Sequence, residues 1–501
     1  MSDISGQKTF IDAYNALLDA LAVANPTRLF WATDLASKNR LSSALPDLLG
    51  SLALGRGADA RGIKDVRFKR MAGVFYHALR VGIRMVRSRG LVKRLDPSRP
   101  YTVIKTFAYD HSFGKDGKYK DVFLGRLPAH LQQKGDIIVL AQVLGNYDLF
   151  LRRARACDAL VLPVEAFLTW ADLRQAVTEI LFIPVKVPRP LPFLGHDIHA
   201  VVRGCFDRTF KGVQLSQFLH FWAVGRLARR FRVRAFYMTY ENYPWERMAL
   251  MALRQNSPST RTIGIQHTVV PQSFLNYFVS ASETQARLLP DVIYTTGART
   301  AEIMRRYSSA ENLPVKAGCA LRFGSLHGIA PAQRRLVKNI LLPLEASLRA
   351  EPMVRWVFGQ VLGNSRYQVR VRTHPLLPWS VCERKMGLKA RGNITASGAT
   401  LAEDLAWADV VVYWSTTVAL EALMMGKPLV HFSNGDLLSF DPLFECPHLK
   451  WTADARGILP AILNDIDAVP DADFIRSRRE AREYLNNYFC PVTTERLEAL
   501  C

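Results

Sequence analysis

Long apolar runs are missing from this sequence of 501 residues. A membrane-spanning helix needs roughly 20 uncharged, mainly apolar residues in a row, and runs such as IIVLAQVLGNY stop well short of that length. The segment MSDISGQKTFIDAYNALLDALAV carries acidic residues and lacks the positively charged start of a secretion signal. We therefore expect a cytoplasmic protein that neither is secreted nor spans a bilayer.

Cysteine is also scarce. The seven cysteines are scattered, odd in number, and include no C-x-x-C pair. This pattern fits neither a disulfide framework nor a zinc site, and it is typical of a reducing compartment. The sequence also lacks a convincing metal-binding D-x-D motif, because DAD at 471–473 lies in a late polar segment. We predict no metal ion.

Acidic residues are few relative to basic ones, 44 against 66, so the formal net charge is +22. The excess is concentrated in places such as RVGIRMVRSRGLVKRL (80–95) and RLARRFRVR (226–234). In the first segment, basic and apolar residues interleave as in an amphipathic segment on anionic lipid, although a solvated basic face explains the pattern equally well. Nucleic acid is not favoured, because no RNP-type motif, zinc finger or basic C-terminal tail is present.

What the sequence does contain is a regular alternation of strand-like and helix-like segments, which predicts parallel, doubly wound sheets. The first series has strands at 234–240, 261–267, 291–297 and 314–320, with helices at 244–256 and 298–307. The second has strands at 337–345, 367–375, 393–397, 409–414 and 428–432, with helices near 352–363 and at 401–408 and 416–425. Thr400 and Glu403 form a capping-box signature before one of these helices. Earlier strand-like segments at 101–107, 136–142 and 158–164 would complete the first sheet, and the junction falls near 322–335.

Polar residues occur where several predicted strands end, and ligands bind outside the carboxyl ends of parallel strands. These residues are Glu241, His267, Gly297, His374-Pro375 and Ser415-Thr416-Thr417. The three hydroxyls precede a helix, whose unsatisfied N–H groups and dipole favour an anion, most simply a phosphate. The alternative is that Ser415 only caps the helix. Glu421, about one turn into that helix, would reach a ribose, and His374 would donate to the same phosphate.

Together these motifs resemble a known group, the GT-B glycosyltransferases that use CMP-activated acidic sugars. The H-P and S-S/T motifs that hold CMP in GT-B sialyltransferases and capsular β-Kdo transferases are similar to His374-Pro375 and Ser415-Thr416. The segments YENYPWERMAL, GIQHTVVP, PDVIYTTGARTAEIM and GCALR also resemble surface-carbohydrate biosynthesis proteins associated with Kdo-type transfer. The sialyltransferases carry a D/E-D/E-G motif, to which Lys115-Asp116-Gly117 is only a partial match, and this departure favours a Kdo-type enzyme.

The resemblance, which covers roughly residues 234–435, implies an α/β GT-B fold with two Rossmann-like domains whose parallel sheets face each other across a cleft. We expect an N-terminal acceptor-binding domain at 1–325, a C-terminal nucleotide-sugar-binding domain at 326–475, and a final helix at 476–501 that packs back on the N-terminal domain. The implied reaction moves an acidic 2-keto-3-deoxy sugar, Kdo, from CMP to a bacterial surface polysaccharide or lipid-linked glycan. The donor is a substrate, so no cofactor is expected, and the inner face of the inner membrane is a possible location. The alternatives are another sialic-type CMP-sugar, a UDP- or GDP-sugar, and a non-catalytic glycan- or lipid-binding assembly protein.

An acidic 2-keto sugar passes through an oxocarbenium-like state, which a carboxylate can stabilise, attack or serve as a base. Glu241 and Glu246 are the candidates, and the sequence does not choose between a retaining and an inverting reaction. Glu246 can instead be an acid favoured by the helix dipole, and His267 can be a satisfied buried histidine. Arg372 and Arg322 are candidates for the sugar carboxylate, with an ordinary ion pair as the alternative. The polar segment 105–125 would contact the acceptor through Asp110, His111 and Asp121, unless it is an ordinary surface loop.

Overall fold

The chain forms two compact units, each built around its own parallel sheet. The structure is a computed structural model that describes residues 4–38, 44–57, 59, 61, 63–328 and 330–501. Unit 1 takes in the chain up to Thr268, Phe274–Arg322 and Val492–Cys501, and unit 2 consists of Val269–Ser273 and Phe323–Pro491. The division at Arg322 falls within the junction near 322–335. The segment 476–501, expected to be a helix that packs back on the first domain, is divided, since its residues before Val492 lie in unit 2 and Val492–Cys501 lies in unit 1.

Unit 1 contains a seven-stranded sheet and a short hairpin among its described residues. The strands are β1 (Pro100–Ala108), β2 (Ile137–Val143), β3 (Leu160–Pro163), β4 (Pro192–Phe193), β5 (His196–Asp197), β6 (Arg232–Thr239), β7 (Arg261–Ile265), β8 (Val292–Thr295) and β9 (Val315–Ala317). The sheet has the order β3-β2-β1-β6-β7-β8-β9 with parallel pairing throughout, while β4 and β5 form the antiparallel hairpin. The three early strand-like segments therefore complete the first sheet, as predicted.

Helices pack against this sheet, and its strands β1 and β2 are buried along almost their whole length. The helices of unit 1 are α1 (Ile4–Ala24), α2 (Arg28–Trp31), α3 (Leu45–Ala53), α4 (Arg67–Ser88), α5 (Leu127–Gln132), α6 (Tyr147–Ala156), α7 (Trp170–Phe182), α8 (His199–Thr209), α9 (Leu215–Phe218), α10 (His220–Arg230), α11 (Pro244–Asn256), α12 (Ala281–Gln285) and α13 (Ala298–Tyr307). The bounds of α11 and α13 are those predicted. Pro244 opens α11 at the first position, where its missing N–H leaves no hydrogen bond unmade.

Unit 2 contains a second parallel sheet. Its strands are β10 (Asn339–Pro343), β11 (Gln368–Arg372), β12 (Ile394–Ala396), β13 (Val410–Tyr413), β14 (Leu429–Phe432) and β15 (Lys450–Ala453), in the order β12-β11-β10-β13-β14-β15. Its helices are α14 (Glu351–Val361), α15 (Trp379–Met386), α16 (Leu401–Trp407), α17 (Val418–Met424), α18 (Leu459–Ala468) and α19 (Asp471–Tyr488), and α20 (Thr494–Ala499) returns to unit 1. The fold class predicted from the sequence, α/β with two Rossmann-like parallel sheets, is confirmed.

Two local features of unit 2 bear on the site. The predicted capping box is present, because the Thr400 side chain accepts from the N–H of Glu403 and Glu403 Oε2 accepts from the N–H of Thr400. Helix α17 begins at Val418 rather than at Thr416, since Thr416 Oγ1 accepts from the N–H of Val418 at 3.2 Å. None of the helices in the described ranges is both long and apolar enough to cross a membrane.

Candidate active site

The sheet of unit 1 has a topological switch point between β1 and β6, where the strand order reverses. Ligands of open α/β sheets bind at such points, outside the carboxyl ends of the strands. Tyr109 follows β1, Glu241 follows β6, and His267 follows β7, the next strand in the sheet. The topology therefore brings these three side chains to one edge of unit 1.

The turn that carries Glu241 is held by hydrogen bonds to its backbone. Glu246, completely buried in the first turn of α11, accepts from the N–H of Glu241 at 2.9 Å and from the N–H of Tyr243 at 3.2 Å. Asn276 Nδ2 donates to the Glu241 carbonyl oxygen at 2.7 Å. Asn242 adopts a φ of +58°, a left-handed conformation that asparagine tolerates better than most residues. Both backbone groups of Glu241 are thus satisfied, and its carboxyl group is left for other partners.

The Glu241 carboxyl group has an unusual proton affinity. Burial raises its pKa to about 7, although the Arg322 cation and a hydrogen bond from the Tyr243 side chain favour the ionised form. A carboxyl group with this pKa exchanges a proton readily at neutral pH, which is what general acid–base catalysis needs.

Arg322 is the cation shared by this edge of the unit. Its charge lowers the pKa of Glu241, of His267 and of Tyr109. The guanidinium carbon lies 5.2 Å from the ring centroid of Phe123. The sequence-predicted Arg322 therefore acts through its charge on Glu241 and His267.

His267 is almost entirely buried, at 3% exposure, and its ring meets the Phe123 ring edge-on with centroids 4.8 Å apart. Burial and then the Arg322 cation lower its pKa to about 3, so the imidazole is neutral at physiological pH. Within the described part of the chain, His267 Nδ1 has no hydrogen-bond partner. His267 is therefore a neutral, buried imidazole with one nitrogen that makes no hydrogen bond to the described residues.

The 105–125 segment contributes less than the sequence suggests. Asp121 is buried and accepts from the N–H groups of Phe123 at 2.8 Å and Leu124 at 2.7 Å, so its carboxylate shapes the loop. Asp110 accepts from the N–H of Asn146 at 2.8 Å and ties the loop to α6. His111 is exposed and stacks on Tyr109, with ring centroids 5.3 Å apart. Of the three predicted residues, Asp110 and Asp121 therefore hold the loop, and His111 stacks on Tyr109 at the surface.

In unit 2 the Ser415-Thr416-Thr417 corner follows β13, with Ser415 and Thr416 half-buried and Thr417 exposed. His374 and Pro375 follow β11 and are exposed, and the N–H of Leu376 donates to His374 Nδ1 at 3.2 Å. Strand β10 lies between β11 and β13, at the switch point of this second sheet. The predicted residues of unit 2 therefore share one edge, with the end of β10 between them.

Glu345 follows β10 at this edge and was not singled out in the sequence. It is half-buried, and burial raises its pKa, while a hydrogen bond from the Ser347 hydroxyl and the Arg349 charge lower it and Asp436 raises it again. This carboxyl group therefore lies at the edge of the sheet where open α/β sheets bind their ligands.

Arg372 forms an ion pair with Asp404, and its charge also affects Glu421. Arg372 donates to the carbonyl oxygen of Ala399 and to the buried carboxylate of Asp404, both at 2.8 Å. Burial raises the pKa of half-buried Glu421, and the Arg372 charge lowers it. The guanidinium of Arg372 is thus committed to an ion pair inside unit 2.

Three aromatic residues of the unit 1 edge were also missed by the sequence analysis: Tyr109, Phe123 and Tyr243. Tyr109 was within reach of the strand-end rule, since it follows a segment recognised as strand-like. Phe123 belongs to a loop, and its place beside Arg322 depends on contacts between residues that are far apart in the chain. Tyr243 precedes α11 and shares its capping box, and no periodic pattern distinguishes such a residue.

No protein-family model matches the sequence, and no curated protein matches it. Among solved structures, the chain is similar to a glycosyltransferase from Rickettsia africae ESF-5, with 10% identity over 80% of this chain and 97% of that one and a TM-score of 0.43. It is also similar to TarM, with 12% identity over 81% and 98% of the two chains and a TM-score of 0.44. A third is MurG from Acinetobacter baumannii, with 11% identity over 80% and 99% of the two chains and a TM-score of 0.42.

Proposed function

We propose that this protein is a glycosyltransferase that moves a sugar from a nucleotide-activated donor to a glycan or lipid-linked acceptor. The observation that carries the proposal is the Glu241 carboxyl group, with a pKa near 7, at the switch point of a parallel sheet beside Arg322 and a neutral histidine. A carboxylate at such a position can accept the proton of an attacking hydroxyl or stabilise a positively charged sugar ring.

Glu241 takes one of two roles in this proposal. In an inverting reaction it removes the proton of the acceptor hydroxyl while the acceptor oxygen bonds to the anomeric carbon and the bond from that carbon to the phosphate oxygen breaks. In a retaining reaction it attacks the anomeric carbon while the bond from that carbon to the phosphate oxygen breaks and the nucleotide leaves. The acceptor oxygen then bonds to the anomeric carbon, the bond to Glu241 breaks, and the freed carboxylate takes the hydroxyl proton. His267 hydrogen-bonds the substrate. Glu246 holds the Glu241 turn through the backbone and acts as a positioning residue.

For the donor we propose CMP-Kdo. A CMP-sugar releases a phosphate monoester, which carries less charge than a diphosphate, so hydroxyls, backbone N–H groups and an imidazole can bind it without a metal ion. Ser415, Thr416 and Thr417, together with His374-Pro375, would hold that phosphate, and Glu421 would bind the ribose. Arg372 is a poor candidate for the sugar carboxylate, because it is already paired with Asp404.

The test is incubation of the purified protein with CMP-Kdo, CMP-sialic acid, UDP-N-acetylglucosamine and GDP-mannose, with release of the nucleotide as the readout. We expect slow hydrolysis of CMP-Kdo and a rate that falls by about 100-fold or more in Glu241→Gln. The double variant Ser415→Ala/Thr416→Ala should raise the KM for the donor with a smaller effect on kcat. Glu302→Gln, which removes an exposed ion pair on α13, is the matched control and should behave as wild type.

Each proposal has its own contradicting result. Consumption of UDP- or GDP-sugars alone would contradict the proposed CMP-sugar donor but not the proposed glycosyltransferase activity. Binding of a glycan or lipid without consumption of any donor, equally strong in wild type and Glu241→Gln, would identify a non-catalytic binding protein.

A further inference from the structure

Helix α4 of unit 1 exposes a stripe of large apolar side chains. The exposed fractions are Phe68 78%, Met71 36%, Phe75 54%, Leu79 66%, Ile83 51% and Val86 59%. The opposite face of the helix is anchored, since Val74, Val81 and Met85 are buried in unit 1. The stripe is therefore a fixed surface of a packed helix and not a segment that lacks structure.

The stripe is straight and has a basic edge. At 3.6 residues per turn, Phe68, Phe75, Leu79 and Val86 project within about 40° of one another. Lys69, Arg80 and Arg87 project about 100° to one side, also in a row. From Phe68 to Val86 the helix rises about 27 Å, so the apolar row and the basic row run side by side over roughly that length.

The segment that carries this charge contains no acidic residue of its own. The sequence from Arg67 to Arg94 contains no Asp or Glu, and its basic residues are Arg67, Lys69, Arg70, Arg80, Arg84, Arg87, Arg89, Lys93 and Arg94. Arg84 and Arg87 are paired with Glu165 and Asp148 of neighbouring elements. None of the ion pairs found among the described residues involves Lys69, Arg80 or Arg89.

Trp170, at the start of α7, extends the stripe sideways. It is 54% exposed, and a Cβ atom placed on Gly82 of α4 would come within 2.5 Å of its ring. The absence of a side chain at Gly82 thus lets the indole lie against α4. Tryptophan favours the boundary between lipid and water, because its ring is apolar and its N–H is polar.

We propose that this surface, made of the α4 stripe, its basic edge and Trp170, docks the protein on a bilayer that contains anionic phospholipid. The helix would lie in the plane of the membrane, with the apolar row among the acyl chains and the basic row among the phosphates. A second copy of the chain is a poor occupant, because a symmetric contact would bring two basic rows together. The inference stands independently of the proposed reaction.

The first test is co-sedimentation of the full-length protein with phosphatidylcholine vesicles that contain either no or 50% phosphatidylglycerol, where roughly half anionic lipid gives a strong surface potential. We expect binding to the anionic vesicles, at least about tenfold weaker binding to the neutral ones, and loss of much of the binding in about 0.5 M salt. Failure of the wild-type protein to bind anionic vesicles would overturn the proposal.

Variants separate this surface from the general positive charge of the protein. Phe75→Glu/Leu79→Glu should weaken binding at least about tenfold, because it removes apolar contact and adds repulsion. Ile475→Glu, at an equally exposed position on α19 (64% against 66% for Leu79), is the matched control and should bind as wild type. Equal binding by all three proteins would overturn the proposal, as would a dimer in light scattering that Phe75→Glu/Leu79→Glu dissociates while vesicle binding is unchanged.

A spectroscopic measurement locates the contact. Trp170 is the most exposed tryptophan among the described residues. If it contacts the bilayer, its fluorescence should be quenched by vesicles that carry brominated acyl chains. Trp170→Phe keeps an apolar side chain, and it should still bind vesicles but lose most of that quenching. Undiminished quenching in Trp170→Phe would place the contact elsewhere and contradict the proposal.

Discussion

Glu241 links the proposed chemistry to a measurable pH dependence. Its pKa is raised to about 7 by burial, so the carboxylate needed as base or nucleophile becomes protonated as the pH falls below 7. We expect kcat/KM for the donor to fall on the acidic side with a midpoint near 7. His267, with a pKa near 3, stays neutral throughout this range and adds no second limb.

Arg322 gives this pH profile a specific test. Its cation lowers the pKa of Glu241, so Arg322→Met should move the acidic midpoint to higher pH. Arg456→Met, which removes an exposed arginine of unit 2, is the control and should leave the midpoint unchanged. A midpoint that stays in place in Arg322→Met would show that Glu241 is not the group that titrates.

Glu241 should also lower the free energy of unfolding above neutral pH. An unfolded glutamate has a pKa of about 4.5, so between 4.5 and 7 the folded state binds more protons, and the free energy of unfolding falls as pH rises. The glutamine of Glu241→Gln cannot ionise. The free energy of unfolding of this variant, measured relative to that of the wild type, should therefore rise by roughly 1 to 3 kcal/mol between pH 4 and pH 8. Urea denaturation at both pH values measures the difference, with Glu302→Gln as control. A relative loss of stability at pH 8 would contradict this account of burial.

At the scale of elements, the Glu241 turn rests on a network of buried charges. Glu283 of α12 is fully buried and pairs with Lys38 at 2.7 Å and with Arg247 of α11. Asn242 Nδ2 donates to Glu283 Oε1 at 2.8 Å, and Arg247 Nε donates to Asn242 Oδ1 at 3.1 Å. Burial opposes the charge on Glu283, but the two cations outweigh it and lower its pKa. The network thus links α11 and α12 to the residue that follows Glu241.

Glu283→Gln should therefore be strongly destabilising. It leaves Lys38 and Arg247 buried without a counter-charge, a change that costs about 3 to 5 kcal/mol in comparable sites. Because the pKa of Glu283 is lowered, its contribution is present above pH 4.5 and lost as the pH falls, so the variant and the wild type should converge in acid. Glu302→Gln, the same substitution in an exposed pair, should change stability by less than about 1 kcal/mol. Similar losses in both variants at pH 7 would contradict the proposed importance of the buried network.

The elements that the sequence predicted well are those whose pattern is local. Helices α11 and α13 have clear start signals and apolar periodicity, and their predicted bounds match the structure. Strand β15 was missed, because Lys450–Ala453 is an edge strand of mixed polarity whose pairing with β14 is the main reason for its conformation. Helix α4 was only half recognised. The segment 80–95 showed interleaved charge, but Val81 and Met85 are buried while Ile83 and Val86 are exposed. Periodicity alone does not say which apolar face is covered.

At the scale of the whole molecule, the chain leaves unit 1 near residue 322 and returns to it at residue 492. The sequence predicted such a return but placed it too early, at 476. Helix α19 stays in unit 2, where the Ser477 hydroxyl accepts from the N–H of Leu449 at 2.9 Å and Arg478 lies against Gly426. These contacts join segments that are far apart in sequence, so the local periodicity of strands and helices does not predict them. The strand-end rule uses only the positions where predicted strands end, which is why Glu241 and His267 could be proposed from the sequence.

The returning segment makes a prediction for the molecule as a whole. In unit 1 the buried Tyr237 hydroxyl donates to the Leu500 carbonyl oxygen at 3.0 Å, and the Tyr294 hydroxyl donates to that of Ala499 at 2.8 Å. Deletion of residues 492–501 removes these acceptors and the buried Leu497 and Leu500, and it should destabilise unit 1 by at least about 3 kcal/mol.

Hydrogen exchange read by mass spectrometry can locate this loss. Exchange should accelerate in β6 and β8 of unit 1 and remain as in wild type in β10 and β13 of unit 2, because the segment belongs to unit 1 alone. Glu498→Gln, which removes the charge that contacts Lys134 and His130 on the surface, should leave both sheets protected. Faster exchange confined to β10 and β13 after the deletion would show that the segment supports unit 2 instead.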